Sequence, residues 1–492
     1  MATSAGALTV GTERDRTLAG PTLEPDPLIA ELAGYVASPP PHPPLAYDTA
    51  WLSLRDSIGV AFMALDHPDC TKLLGPWIPG TTGSGPGARV PGASYVLDPA
   101  KAAFDTGALI RWLDYNDTWL AAEWAHPSDN LGALLAVSDY LCRRAAPEVV
   151  TVRDLLAAMI EAYEIQGILA LTNSLNAVGI DHVVYVRVAS AGLATRLLGG
   201  SRQTIENALT QAFADGGPLR AYRHYPNTGS RKSWAAADAT RRGVELALLS
   251  LRGEMGYPQI LSARRWGFSA VVMKDKPLVL DRPLGSYVME NILYKVDFPA
   301  EFHGQTAAEA AVHLYPAVRD RLDEITEIVI ETQSAAIRII DKTGPLRNPA
   351  DRDHCLQYIV ASALLRGRLV AQDYEDGPAS DPWIDRLRSK MRVVENPDFT
   401  LRYYDPEKRY IGNALQIHFR EGPPSARVVV EVPLGHRERR EEAGPRLSRK
   451  FREGLARLAP ERAQPIAAFL DGPWQEQAGR PISDLMDLLA TG

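Results

Sequence analysis

The segment Leu113–Asn130, LDYNDTWLAAEWAHPSDN, sets two carboxylates, Asp114 and Asp117, just ahead of Thr118 and follows them with His126. A carboxylate that orients an imidazole leaves the far ring nitrogen free to take or give a proton near neutral pH. Trp119 and Trp124 would keep water away from such a pair. The same residues also suit a polar loop in which Ser128 or Asp129 caps the helix beginning at NLGALLAV. Taken alone, the segment leaves both readings open.

Further stretches carry reactive or charged groups. In HYPNTGSRKSW, His224–Trp234, a turn at Asn227, Gly229 and Ser230 is followed by Arg231 and Lys232. A helix starts at once, so its free N–H groups and the two cations would suit an anion. Two solvated surface cations explain the pair equally well. In YKVDFPAEFHGQT, Tyr294–Thr306, Lys295 and His303 bracket a proline-containing loop. The helix that follows His303 disfavours an imidazolium at its N-terminus and favours a bound carboxylate. An exposed loop histidine is the alternative. In DRDHCLQYIVASALL, Arg352 opens a helix and Tyr358 lies on its apolar flank, where most tyrosines are core residues with a hydrated hydroxyl. DYEDG, Asp373–Gly377, lacks the ligand spacing of a calcium loop and reads as a solvated acidic turn. GTTGSGPGAR, Gly80–Arg89, lacks the Gly-Lys-Ser/Thr ending of a phosphate loop and reads as a surface loop.

The elements that must position these groups belong to a chain of 492 residues, 46% hydrophobic and 23% charged, with a net charge of −7. That is the composition of a globular protein of about two to four domains. No basic face is evident, so no nucleic-acid partner is expected. No apolar run approaches ~18 residues, so no membrane partner is expected. The first 25 residues lack the apolar core of a signal peptide and read as a mobile tail, ahead of the proline-rich SPPPHPPL. Cys70, Cys142 and Cys355 are far apart and odd in number, which fits a reducing cytoplasm better than a disulfide framework. Without a Cys-x-x-Cys, an iron–sulfur cluster is not expected, and neither a metal nor another cofactor.

From Tyr47 to about Leu251 the spacing predicts helices. TVRDLLAAMIEAYEIQGIL opens with a capping-box pattern, Thr151 and Asp154. DHVVYVRVASAGLATRLLGG begins with β-branched residues, but its length and closing glycines favour a buried helix. Near Trp266 the texture changes. HGQTAAEAAVHLYPAVRDRL reads as a helix boxed by Thr306 and Glu309, ITEIVIETQ as a strand, the segment from about Asp351 as a helix, and NALQIHFREGPPSARVVVEVPLG as a hairpin. The last fifty or so residues read as helical again. The pattern predicts a mainly helical protein with an α+β second domain. Helical segments at 26–270 and 406–492 would form the large domain, interrupted by a smaller α+β insert at 271–405.

Long stretches of this chain resemble the MmgE/PrpD family: DYNDTWLAAEWAHPSDN, YPNTGSRKSWAAADATRRGVELALLSLRGEMGYPQIL, GSYVMENILYKVDFPAEFHGQTAAEAA, NPADRDHCLQYIVASALLRGRL and YYDPEKRYIGNALQIHF. The likeness runs from about Tyr47 to the C-terminus. It implies the inserted-lid architecture, with 271–405 as the lid domain, and a homodimer. It also implies a pocket built from Asp114, Thr118, His126, Lys232, Lys295, His303 and Tyr358. Two departures, a longer loop between Thr118 and His126 and extra residues between Lys295 and His303, favour the family's dehydratases over its cis-aconitate decarboxylase.

The implied reaction removes water from 2-methylcitrate, a small tricarboxylate of propionate breakdown, with a side activity on citrate. Its α-proton is poorly acidic and its hydroxide leaves poorly. Lys232, Lys295 and Arg231 would answer the first difficulty, since preorganised charge is usually the largest catalytic term. A general acid would answer the second. His126, oriented by Asp114, is the expected base, and His303 or Tyr358 the acid. The opposing expectations are a decarboxylase or other lyase or isomerase of the same family, and a silent carboxylate-binding protein.

Overall fold

The computed structural model describes residues 24–81, 85–144, 149–224 and 227–491. The expected tail therefore lies outside the described residues up to position 23, and the glycine-rich loop does so at 82–84. Asp26 already belongs to the fold: its carboxylate accepts from the amides of Leu261 (2.7 Å) and Ser262 (3.3 Å).

Most of the chain is helical, and its two largest apolar cores differ in composition. The larger takes residues from Ile29 to Val296 and again from Leu434 to Leu489. The smaller takes residues from Ala300 to Ile417. The stretch 271–296, expected in the lid, instead adds Met273, Leu278, Val288 and Ile292 to the larger core. The hairpin after residue 405, expected in the helical domain, adds Leu415 and Ile417 to the smaller one. Both shifts have one cause. Apolar side chains follow the surface they can bury against, and a change of sequence texture does not mark that surface.

Helix Val152–Thr172 has both halves of its capping box, Thr151 accepting from the Asp154 amide and Asp154 from the Thr151 amide. It is the one helix among the described residues long and apolar enough to cross a membrane, yet 83% of its apolar window is buried inside the protein. It is a core helix. Val183–Leu197 is helical despite its β-branched start. Helices Pro44–Ala64 and Arg440–Leu455 cross where glycine faces glycine: a Cβ on Gly454 would lie 2.3 Å from the Gly59 carbonyl. That close approach docks a C-terminal helix against an N-terminal one.

Two short strands, β1 (Ala88–Arg89) and β2 (Val96–Leu97), form an antiparallel ladder. The main sheet has four, β3 (Ile325–Thr332), β4 (Met391–Glu395), β5 (Asn413–Phe419) and β6 (Val428–Val430), in the order β4-β3-β5-β6. Only the β3–β4 pairing is parallel. Along β3, Ile328, Ile330 and Thr332 are buried, while Thr326 is exposed and Glu331 carries Arg427. That period of two is a sheet with one covered face. Helices Gln305–Val318 and Leu356–Arg366 pack together in this smaller core.

Two local expectations fail. Helix Gln305–Val318 starts from Gly304 without a side-chain cap. Thr306 donates to the Ile411 carbonyl and Glu309 pairs with Arg439, so both are committed to tertiary partners. The helix expected from Asp351 is broken into Pro349–Arg352 and Leu356–Arg366, which leaves His354 in the gap.

Candidate active site

Helix Pro99–Arg111 ends three residues before Asp114, which takes a left-handed φ of 49°. Aspartate tolerates that region better than most residues, at some cost. The turn puts its carboxylate, 1% exposed, among three cations. Arg111 donates to it, Lys295 Nζ lies 2.6 Å from Oδ1, and Lys232 Nζ 3.2 Å from Oδ2. Burial alone would raise this carboxyl, but Arg111, Lys232 and Lys295 outweigh it and hold it well below its ordinary range. Lys295 shows the converse. Burial pulls its ammonium down to about 8, with Asp114 opposing and Arg111 assisting.

Lys232 also donates to Asp353 Oδ2 at 2.7 Å, and His354 Nδ1 to Asp353 Oδ1 at 2.6 Å. Ligating atoms of Asp114, Asp353 and His354 lie within 4.8 Å of one another, a spacing that would suit a metal ion. The Lys232 ammonium already bridges the two carboxylates, so the set does not fit a resident cation.

His126 Nδ1 lies 2.7 Å from the Asp117 carbonyl. A carbonyl only accepts, so Nδ1 carries the proton and Nε2 keeps its lone pair. Burial lowers this imidazole well below its ordinary value, helped by Arg111 and Lys295, so the ring is neutral. Asp117's carboxylate is occupied by the Ser128 amide (3.1 Å) and hydroxyl (2.7 Å), so that hydroxyl braces the loop and caps nothing. The orienting partner of His126 is thus a backbone carbonyl; Asp114 was the sequence expectation. Thr118 Oγ1 sits 3.4 Å from the same nitrogen, and its backbone pairs with Leu293.

His182 was not anticipated. Its ring centroid is 5.8 Å from that of His126, it is 3% exposed, and its Nδ1 lies 3.3 Å from Asp181 Oδ1, though neither nitrogen makes a hydrogen bond. Burial lowers it as well, with Asp181 opposing. Asp181 is tied up by Arg223 through two donors. Arg220 donates to His224 Nε2 at 3.1 Å and lies 3.6 Å from Glu123. His182, Arg220, Arg223 and His224, together with Arg111, Asp114, His126, Lys295, Glu301 and His354, line a cavity of about 40 Å³. That holds a few water molecules and is too small for a tricarboxylate.

The remaining expected residues lie elsewhere. His303 is fully buried one layer behind the cavity, between Glu301 (Nδ1 to Oε1, 2.8 Å) and the Tyr403 hydroxyl (Nε2, 3.0 Å), with Trp124 edge-on to its ring. Burial would raise Glu301, but His303 overrides it and holds that carboxyl down to about 2. Tyr358 donates to the Asp373 carbonyl at 2.5 Å and lines a different pocket with Arg388 and Lys342. The helix break before Leu356 turns it away and brings His354 in. Arg231 stacks on Trp234 (4.3 Å) and pairs with Asp238 at the surface, since successive residues of a tight turn point in different directions. Of the adjacent pair, only Lys232 reaches the cluster.

Lys450 supports the cluster from helix Arg440–Leu455. Its buried Nζ pairs with Asp56 at 2.8 Å and donates to the Tyr115 and Lys295 carbonyls. No sequence motif marked it. For Arg111, His182, Arg220, Arg223 and His354, the one available signal was charge in segments otherwise apolar enough to be buried.

A family model for the MmgE/PrpD N-terminal domain matches residues 30–281, and one for the C-terminal domain matches 298–471. The chain is 52% identical over 476 residues to the 2-methylcitrate dehydratase of Cupriavidus necator, covering 95% of this chain and 98% of that protein. It is 52% identical over 468 residues to that of Escherichia coli K12, covering 94% and 96%. It is 50% identical over 470 residues to the mitochondrial 2-methylcitrate dehydratase of Yarrowia lipolytica, covering 94% and 90%.

Proposed function

The chain belongs to the MmgE/PrpD family and is a hydro-lyase that dehydrates 2-methylcitrate, and from that premise we propose how its side chains divide the reaction. His126 Nε2 takes the proton from the methyl-bearing carbon. The observation that carries this assignment is the 2.7 Å contact of Nδ1 with the Asp117 carbonyl, which fixes the tautomer. Arg111, Lys232 and Lys295, gathered on Asp114, face the carboxylate whose charge grows as that proton leaves.

His182 protonates the departing hydroxyl. Burial favours its neutral form, but three substrate carboxylates beside it favour the imidazolium. Glu301, His303 and Tyr403 form a hydrogen-bonded brace behind Phe302 and Trp124, so His303 is a positioning residue. No cysteine lines the cavity: Cys70 lies near the Ala108 carbonyl, Cys142 near Val150 and Cys355 near Lys342. This supports an elimination run by side chains without an iron–sulfur cluster, with citrate as a slower substrate. The same reading takes the protein as a cytoplasmic homodimer with the smaller core as a lid.

The test is proton exchange. In deuterated water, His182→Asn should still exchange the substrate's α-proton while forming little 2-methyl-cis-aconitate. His126→Asn should lose both. Exchange surviving in His126→Asn would reassign the base. Release of carbon dioxide from cis-aconitate would place the protein with the decarboxylases instead.

A further inference from the structure

At about 40 Å³ the cavity is too small for a tricarboxylate, so a wall has to move for substrate to enter. Two larger pockets adjoin it. One, about 550 Å³, is lined by Asp353, which is bonded to His354 of the cavity, and is faced by Asp69 and Glu375, with His67 at 3.3 Å from Glu375. The other, about 250 Å³, meets it at Leu120, which lines both. Volume favours the first and charge the second. A trianion approaching through carboxylates is repelled along the whole path, whereas a concave cationic mouth concentrates it.

The second pocket presents Arg282, Lys408, Arg409 and Arg437 against Asp281 and Glu407. Among the described residues, no carboxylate pairs with the three arginines. Arg282 lies over the Tyr287 ring at 3.5 Å. Arg437 donates to Asn291 Oδ1 (2.6 Å) and to the Glu407 carbonyl (2.9 Å). Arg409 takes a left-handed φ of 51° and makes no side-chain hydrogen bond. Guanidinium groups without carboxylates around a concavity are suited to carboxylate ligands.

The side chain that lines both pockets is apolar. Leu120 is 3% exposed and sits in the turn closed by Trp119 and Ala125, which exchange backbone bonds of 2.8 and 3.0 Å. It packs with Leu293, Phe302, Tyr403 and Ile411, none of which holds it by a polar contact. A rotamer change there needs no buried ion pair to break, unlike a route past Asp353 and Lys232.

We propose that the arginine-lined pocket is the port through which the tricarboxylate reaches the cavity and the unsaturated product leaves, with Leu120 as its gate. The proposal rests on the dehydratase reading. The test compares the parent protein with Arg282→Ser/Arg409→Ser/Arg437→Ser, whose side chains lie at the surface. The triple variant should lose roughly tenfold in kcat/KM at low salt and much of its ionic-strength dependence, with kcat within about twofold. Citrate association, followed by tryptophan fluorescence, should slow by the same factor, and Leu120→Ala should speed it. A triple variant with the parent's association rate and salt dependence would overturn the port, as would Glu375→Gln alone accelerating association. A parent that binds citrate but leaves 2-methylcitrate unconverted would overturn the dehydratase reading instead.

Discussion

Lys450 Nζ donates to the carbonyls of Tyr115 (2.7 Å) and Lys295 (2.8 Å), tying the two segments that bring Asp114 and Lys295 together. These residues lie 335 and 155 positions away in the chain, so one C-terminal side chain sets the register of the acid–cation cluster. Lys450→Met should cost about 3–5 kcal/mol, because Asp56 is left buried without its counter-charge. Asp56→Leu/Lys450→Met should recover much of that stability in thermal unfolding but not kcat/KM. A double variant with the parent's rate and pH profile would show that the tether is structural only.

His126→Asn keeps a donor in reach of the Asp117 carbonyl and removes Nε2. Its melting temperature should stay near the parent's, while kcat falls by roughly 10²-fold or more. Rates measured at saturating 2-methylcitrate check this, and a loss under threefold would remove the base from His126.

The alkaline limb of kcat/KM should lie near pH 8, where free Lys295 loses the proton that neutralises a substrate carboxylate. Stability moves the other way. Lys295 is lowered from 10.5 to about 8, so across that window the unfolded chain binds the extra proton, and this group's contribution to stability rises with pH. Asp114→Asn removes the charge that raises Lys295 and should move the limb to lower pH. The acid limb should fall below 6.5, because His126 is lowered. An alkaline limb unmoved in Asp114→Asn would detach it from Lys295.

Tyr358→Phe removes a hydroxyl bonded to the Asp373 carbonyl, outside the cavity. It should cost about 1 kcal/mol and change kcat by less than twofold. His303→Gln and Tyr403→Phe should each lower kcat less than His126→Asn and leave the pH limbs in place, since both break the same brace. A steady-state pH profile separates a brace from an acid.

Local sequence determined a good deal here. Helix Val152–Thr172 follows from its capping box and apolar length, and β3 from its alternating β-branched run. The charged or polar types at 114, 118, 126, 232 and 295 were legible because each stands in a long stretch shared with one family. What sequence could not decide was direction. Arg231 and Lys232 are neighbours, yet one faces solvent and the other bridges two buried carboxylates. Tyr358 was expected in the pocket and His354 was not, and a break before Leu356 reversed them. His182 precedes one helix that reads as ordinary and Lys450 sits in another, and only packing made one a neighbour of His126 and the other a tether for Lys295. Hydrophobic period fixes which face of an element is buried. Which buried polar group meets which depends on how helices cross, and here that was settled by contacts such as Gly59 against Gly454, 395 residues apart.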